Sequence, residues 1–124
     1  MVLWFTKTNL KVMETKIHYL FCDLKNDEHL IAEYKAYHKN VWPEIIKSIK
    51  DSGIVNMEIY NKGNRLFMVM EVNDSFSFDK KAETDAINPK VQEWETLMWK
   101  YQQKVPMAKE GEKWLLLDAI FKLI

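Results

Sequence analysis

A tyrosine and a histidine stand one helical turn apart in Tyr34-Lys35-Ala36-Tyr37-His38, and Trp42-Pro43-Glu44 follows closely. Side chains four residues apart share one face of a helix. Tyr34 and His38 can therefore reach into one pocket. An imidazole takes up and releases protons near neutral pH. A phenol offers a ring that packs on an apolar ligand face and a hydroxyl that bonds a polar one. The pair points to proton-transfer chemistry on a small polar molecule.

Several elements must position that pair. Thr15 to Leu24 reads as a strand, with Ile17, Tyr19 and Phe21 on one face and Leu20 and Cys22 on the other. Asn26-Asp27 is a helix-start signal, and Leu30, Ile31, Tyr34 and His38 recur at helical spacing. Pro43 predicts a break near Asn40–Trp42. A second helical run carries Ile45, Ile46 and Ile49 and stops at Asp51-Ser52-Gly53. Ile54 to Tyr60 and Leu66 to Val72 are strands joined by a hairpin turn at Asn61-Lys62-Gly63-Asn64. Ser75 to Ala86 is expected to be helical, and Asn88-Pro89 opens a helix expected to run to Gln103. Its stripe is Val91, Trp94, Leu97, Met98 and Tyr101. Trp114 to Leu123 is expected as the last strand.

This order predicts an α+β, ferredoxin-like β-α-β-β-α-β fold, a four-stranded antiparallel sheet with helices on one face. The segments Leu66–Met70 and Trp114–Leu117 are apolar at successive positions, hence on both faces of a sheet. Helices cover only one face, so the other is expected against a second copy. The predicted assembly is a homodimer of the dimeric α/β-barrel type.

A chain of 124 residues makes one domain. Residues 1–12 read as an N-terminal extension and 13–124 as the domain. The apolar run Met1–Phe5 is too short for a signal sequence or a membrane span. Lys+Arg and Asp+Glu both number 18, so no basic excess exists to neutralise phosphates, and nucleic acid is not the expected partner. A single cysteine, Cys22, excludes an internal disulfide and a cysteine-based zinc site, which makes a reducing cytoplasm the simplest compartment. His18 and His29 lack companions at metal-ligand spacing, so no metal is expected. Three glycines leave no room for a nucleotide-binding loop. Glu58, Glu71, Asp85 and Asp118 are the carboxylates considered as partners for a proton-transfer site, each more readily read as a surface or hydrogen-bonded group.

The motif Tyr34-x-x-x-His38-x-x-x-Trp42-Pro43-Glu44 resembles the L-rhamnose mutarotase family. So do Gly53–Tyr60, Asn64–Glu71, Thr84-Asp85, Val91–Trp94 and Gly111–Trp114, in that order, and together they extend the resemblance from about residue 14 to the C-terminus. It implies a cofactor-free enzyme acting on a monosaccharide, a 6-deoxy-L-aldose. His38 takes the position of the general acid and Tyr34 that of a sugar-contacting tyrosine. Trp94 matches the first residue of a Trp-Trp pair whose second position here is Glu95, leaving Trp99 as a candidate for the missing aromatic wall. Met57 stands where the family pattern has a substrate-contacting tyrosine. These departures put L-fucose beside L-rhamnose as substrate. Another small-molecule enzyme, or a non-catalytic ligand-binding module of the same fold, is the competing reading.

Overall fold

The computed structural model describes residues 14–124, and the extension expected over residues 1–12 lies outside the described residues. Strand β1 (Lys16–Leu24) runs through the middle of an antiparallel sheet. Alternation decides its faces: Leu20, Cys22 and Leu24 are buried, whereas Ile17 and Tyr19 are exposed. Helix α1 (Glu28–Tyr37) starts where Asp27 accepts the Leu30 N–H at 3.0 Å. It stops at His38, and Trp42 is extended at φ −56°, ψ 137°, as a residue before proline must be. Pro43 then occupies the first turn of α2 (Pro43–Asp51), where no backbone donor is missed.

Gly53 turns the chain back into the sheet at φ +101°. A Cβ there would lie 2.7 Å from both Asn73 Oδ1 and Ser75 Oγ, so the turn excludes larger residues. Strands β2 (Ile54–Lys62) and β3 (Arg65–Val72) form the expected hairpin, with a bulge between Ile54 and Asn56. Gly63 opens its two-residue turn at φ +58°. Helix α3 (Phe78–Ala86) begins later than the expected Ser75, because Asn73 Oδ1 takes the Ser75 N–H at 2.9 Å and Ser77 caps the helix. Asn88 caps α4 (Pro89–Trp99) by accepting from Lys90 and Val91.

Two expectations are corrected at the C-terminal end. Helix α4 ends at Trp99 rather than Gln103, because Tyr101 O accepts the Lys25 N–H at 2.8 Å and Gln102–Gln103 form a short strand, β4, opposite Asp23–Leu24. The last strand, β5, is only Leu115–Leu116, opposite Leu20–Phe21, with one further bond from Leu117 N–H to Tyr19 O. Beyond it Ile120, Phe121 and Leu123 are exposed, uncovered by the other described residues. Strands β4 and β5 thus share one edge of β1, while β3 fills the other, giving the order β2-β3-β1-β4 with β5 beside β1.

The helices pack on one face of the sheet. Cys22, Leu24 and Leu66 from the strands meet Tyr34, Ile45, Val91, Trp94 and Met98 from the helices. A second cluster gathers Leu20, Ile54, Met68, Met70 and Val72, and Trp114 packs against both. On the opposite face the Tyr19 and Phe67 rings stack with centroids 5.9 Å apart, each well exposed.

Candidate active site

Between the sheet and the helices lies a cavity of about 1060 Å³, at the upper end of small-molecule pockets. Tyr34, His38, Met57 and Trp94 all line it. Helix α1 delivers the first two because it ends where it does. Tyr34 is the buried residue of its last turn, and His38 caps it. The His38 Nδ1–H donates to the Tyr34 carbonyl at 2.9 Å. A carbonyl can only accept, so the hydrogen sits on Nδ1 and Nε2 keeps its lone pair.

Rings hold the imidazole on two sides. Tyr34 lies at a centroid distance of 4.2 Å and Trp94 stands edge-on at 5.6 Å. Trp94 is itself braced by Trp42 at 5.0 Å. Burial pulls the His38 pKa below the ordinary histidine value, partly opposed by the bond to Tyr34. Once protonated, His38 therefore gives up its proton more readily than an ordinary histidine. Burial pushes the Tyr34 phenol well above its usual range, so it stays a neutral hydroxyl. That hydroxyl accepts from Gln102 Nε2 at 3.3 Å, and Gln102 Oε1 has no partner among the described residues.

Met57 sits on β2 opposite Met70 and presents an apolar, adaptable surface to the cavity. Trp99 is not among the lining residues. It is one-third exposed and lies under the Lys113 ammonium at 5.0 Å. The helical stripe that held Trp94 inward turns Trp99 outward. Of the four carboxylates considered from sequence, Asp85 alone lines the cavity, and there it is bound by Lys81. Glu58 is on the open face, bonded by Tyr60 and Asn56. Glu71 takes the Thr15 hydroxyl, and Asp118 is exposed after β5.

Sequence reasoning missed three polar residues of the site. Glu95, Lys113 and Gln102 line the same cavity, and Lys113 Nζ donates to Glu95 Oε1 at 2.6 Å. The only signal for Glu95 was its place after Trp94, and for Lys113 its place in the Gly111–Trp114 motif; nothing local marked Gln102. Among the described residues no three of His, Cys, Asp and Glu gather as a metal site, and no helix is long and apolar enough to cross a membrane.

A sequence profile of the L-rhamnose mutarotase family matches residues 18–123. The chain belongs to the L-rhamnose mutarotase family. Within that group it is 42% identical over 103 residues to the L-fucose mutarotase of Xanthomonas campestris pv. campestris, covering 82% of each chain. It is 36% identical over 88 residues to an L-rhamnose mutarotase of Listeria monocytogenes, covering 69% of this chain and 77% of that one. The crystal structure of an L-rhamnose mutarotase from Formosa agariphila superposes with a TM-score of 0.64, covering 88% of this chain and 99% of the other. At 23% identity that likeness is one of fold. The mutarotase motif residues Tyr34, His38 and Trp94 thus meet at one cavity, while the two departures, Met57 and Glu95, lie on its wall.

Proposed function

We infer that this chain is an aldose mutarotase that interconverts the α and β anomers of a 6-deoxy-L-aldose. The observation that carries the reading is the convergence of Tyr34, His38 and Trp94 on one cavity. Mutarotation requires a proton delivered to the ring oxygen and a proton removed from the anomeric hydroxyl. His38, with Nδ1 tied to the Tyr34 carbonyl, exchanges protons at Nε2; protonated there, it donates to the ring oxygen and recovers that proton when the ring recloses. The C1–O5 bond opens, the C1–C2 bond rotates, and closure on the other carbonyl face gives the other anomer. Tyr34 and Trp94 supply the ring surfaces and hydroxyl that orient the sugar, and Met57 packs on it. Trp99 falls outside the proposed site.

L-fucose is ranked ahead of L-rhamnose. The support is the 42% identity to an L-fucose mutarotase against 36% to an L-rhamnose mutarotase, together with the altered wall at Met57 and Glu95. Saturation-transfer NMR tests both: the chain should accelerate anomer exchange of L-fucose more than that of L-rhamnose. Acceleration of neither sugar rejects the mutarotase reading.

The functional unit is read as a ferredoxin-like homodimer, with the two sheets face to face as a dimeric α/β-barrel. Support comes from the strand order, from the open apolar face bearing Ile17, Tyr19 and Phe67, and from the uncovered Ile120, Phe121 and Leu123. Equal numbers of acidic and basic residues leave no net repulsion between copies. A reducing cytoplasm suits the chain, whose Cys22 is buried with its thiol pKa pushed up to about 12 and so is chemically quiet.

A further inference from the structure

Ring opening needs a proton donor and a proton acceptor, and His38 accounts for one group only. Among the described residues three carboxylates line the cavity: Asp85, Glu95 and Glu112. Asp85 is fully engaged. Lys81 Nζ lies 3.1 and 3.0 Å from its two oxygens, and Ser48 donates to it at 3.4 Å. Glu112 is exposed to solvent, where Glu95 is half-buried, and its Oε1 takes the Lys109 N–H at 2.8 Å to hold its own loop. Glu95 differs from both. Its Oε1 is fixed by Lys113 at 2.6 Å, while Oε2 makes no hydrogen bond with the described residues.

Glu95 shares the cavity lining with Tyr34, His38 and Trp94. Glu95 follows Trp94, whose ring stands 5.6 Å from His38. The Glu95 charge also reaches the Tyr34 phenol, where it adds to the effect of burial. Lys113 is well placed as an anchor. Its side chain is only 10% exposed, so the ammonium needs a fixed anion, and the Trp99 ring covers it. A carboxylate held through one oxygen and free at the other is arranged to move a proton.

We propose that Glu95 is the second acid–base group of the reaction, paired with His38, and that Lys113 is its positioning residue. The inference rests on the mutarotase reading. In the forward step protonated His38 gives its Nε2 proton to the ring oxygen, and Glu95 Oε2 takes the anomeric hydroxyl proton. The C1–O5 electron pair moves to the ring oxygen, and the former O–H pair completes the C1 carbonyl. On reclosure the C5 hydroxyl attacks C1 and returns its proton to His38, while Glu95 reprotonates the carbonyl oxygen. No oxidant, reductant or further reactant enters.

The test compares wild type, Glu95→Gln, Glu95→Ala and His38→Ala by anomer exchange of L-fucose, with KM, kcat and unfolding midpoints for each. Glu95→Gln should lower kcat about a hundredfold, with little change in KM. Added formate should restore part of the rate to Glu95→Ala and none to His38→Ala. A raised KM with unchanged kcat overturns the proposal and makes Glu95 a recognition residue. Absence of formate rescue in a folded Glu95→Ala protein also overturns it. Lys113→Met, which leaves the carboxylate but frees it, should lose rate less than Glu95→Gln; a larger loss assigns the chemistry to Lys113 instead. Wild type that accelerates no sugar fails the mutarotase reading itself, a result visible before any variant is compared.

Discussion

Replacing Tyr34 with Phe should destabilise the protein through Gln102 rather than through Tyr34. The Tyr34 hydroxyl is the partner of the Gln102 amide nitrogen, at 3.3 Å, and Gln102 is 2% exposed with its carbonyl oxygen unpaired. The ring itself stays in place in Phe, so no cavity forms. What changes is that the amide nitrogen loses its partner, which leaves both ends of a buried amide unpaired. A buried polar group left unsatisfied costs about 1–3 kcal/mol, and the length of this bond places the expected loss near the lower half, about 1–2 kcal/mol. Gln102→Met removes the orphaned groups altogether and should be close to neutral. Adding Tyr34→Phe in that background should cost about nothing. The cycle therefore predicts a coupling of about 1–2 kcal/mol, worth roughly 4 °C in Tm per kcal/mol for a chain of this size. Urea unfolding of the four proteins at one fixed protomer concentration measures it, since assembly contributes to apparent stability. An equal loss from Tyr34→Phe in both backgrounds refutes the reasoning.

Other consequences are as direct. His38 has its pKa lowered on folding by burial, so between its folded and unfolded values the unfolded chain binds the proton first. Stability should fall as pH drops below about 6.5 and level off once folded His38 protonates. His38→Gln should flatten that part of a urea-midpoint-against-pH curve; an unchanged slope assigns it to another group. Gly53→Ala should cost more than about 1 kcal/mol, because it combines φ +101° with 2.7 Å approaches to Asn73 and Ser75; thermal unfolding reads this, and a neutral variant contradicts the packing at that turn. Phe67→Glu on the open sheet face should leave a folded monomer in sedimentation, whereas a variant of unchanged mass argues for a different interface.

Local chemistry made most of the framework legible. Asp27, Pro43, Gly53 and the Gly63 turn each act within a few residues, and the elements begin and end where those residues require. The Tyr34–His38 pair was legible for the same reason, since one helical turn joins them. The rest of the site depends on long-range choices. Helix periodicity continues past Trp99 to Gln103, but the pairing of Lys25 with Tyr101 ends the helix early and carries Gln102 into the cavity. Lys113 meets Glu95 only because the loop before β5 returns to α4, a separation of 18 residues that leaves no local signature. The final segment reads as a strand through Leu123, yet only Leu115–Leu116 pair with β1. Apolar spacing records the propensity of that segment, while the available edge sets its length.

The two departures from the family pattern bear on different steps, Met57 on recognition and Glu95, in the pairing proposed with His38, on ring opening. Met57 exchanges a hydroxyl for a flexible thioether on the β2 wall, and Glu95 exchanges an aromatic surface for a charge anchored by Lys113. His38 and its bond to the Tyr34 carbonyl are left intact by both.

The most direct measurement is the rate of anomer exchange by saturation-transfer NMR at neutral pH for wild type and His38→Ala, at matched concentrations of folded protein. Wild type should accelerate exchange of L-fucose, and the alanine variant should lose about a hundredfold or more of that rate while still binding the sugar. Equal rates in the two proteins would contradict the role of His38 as the group that opens the ring.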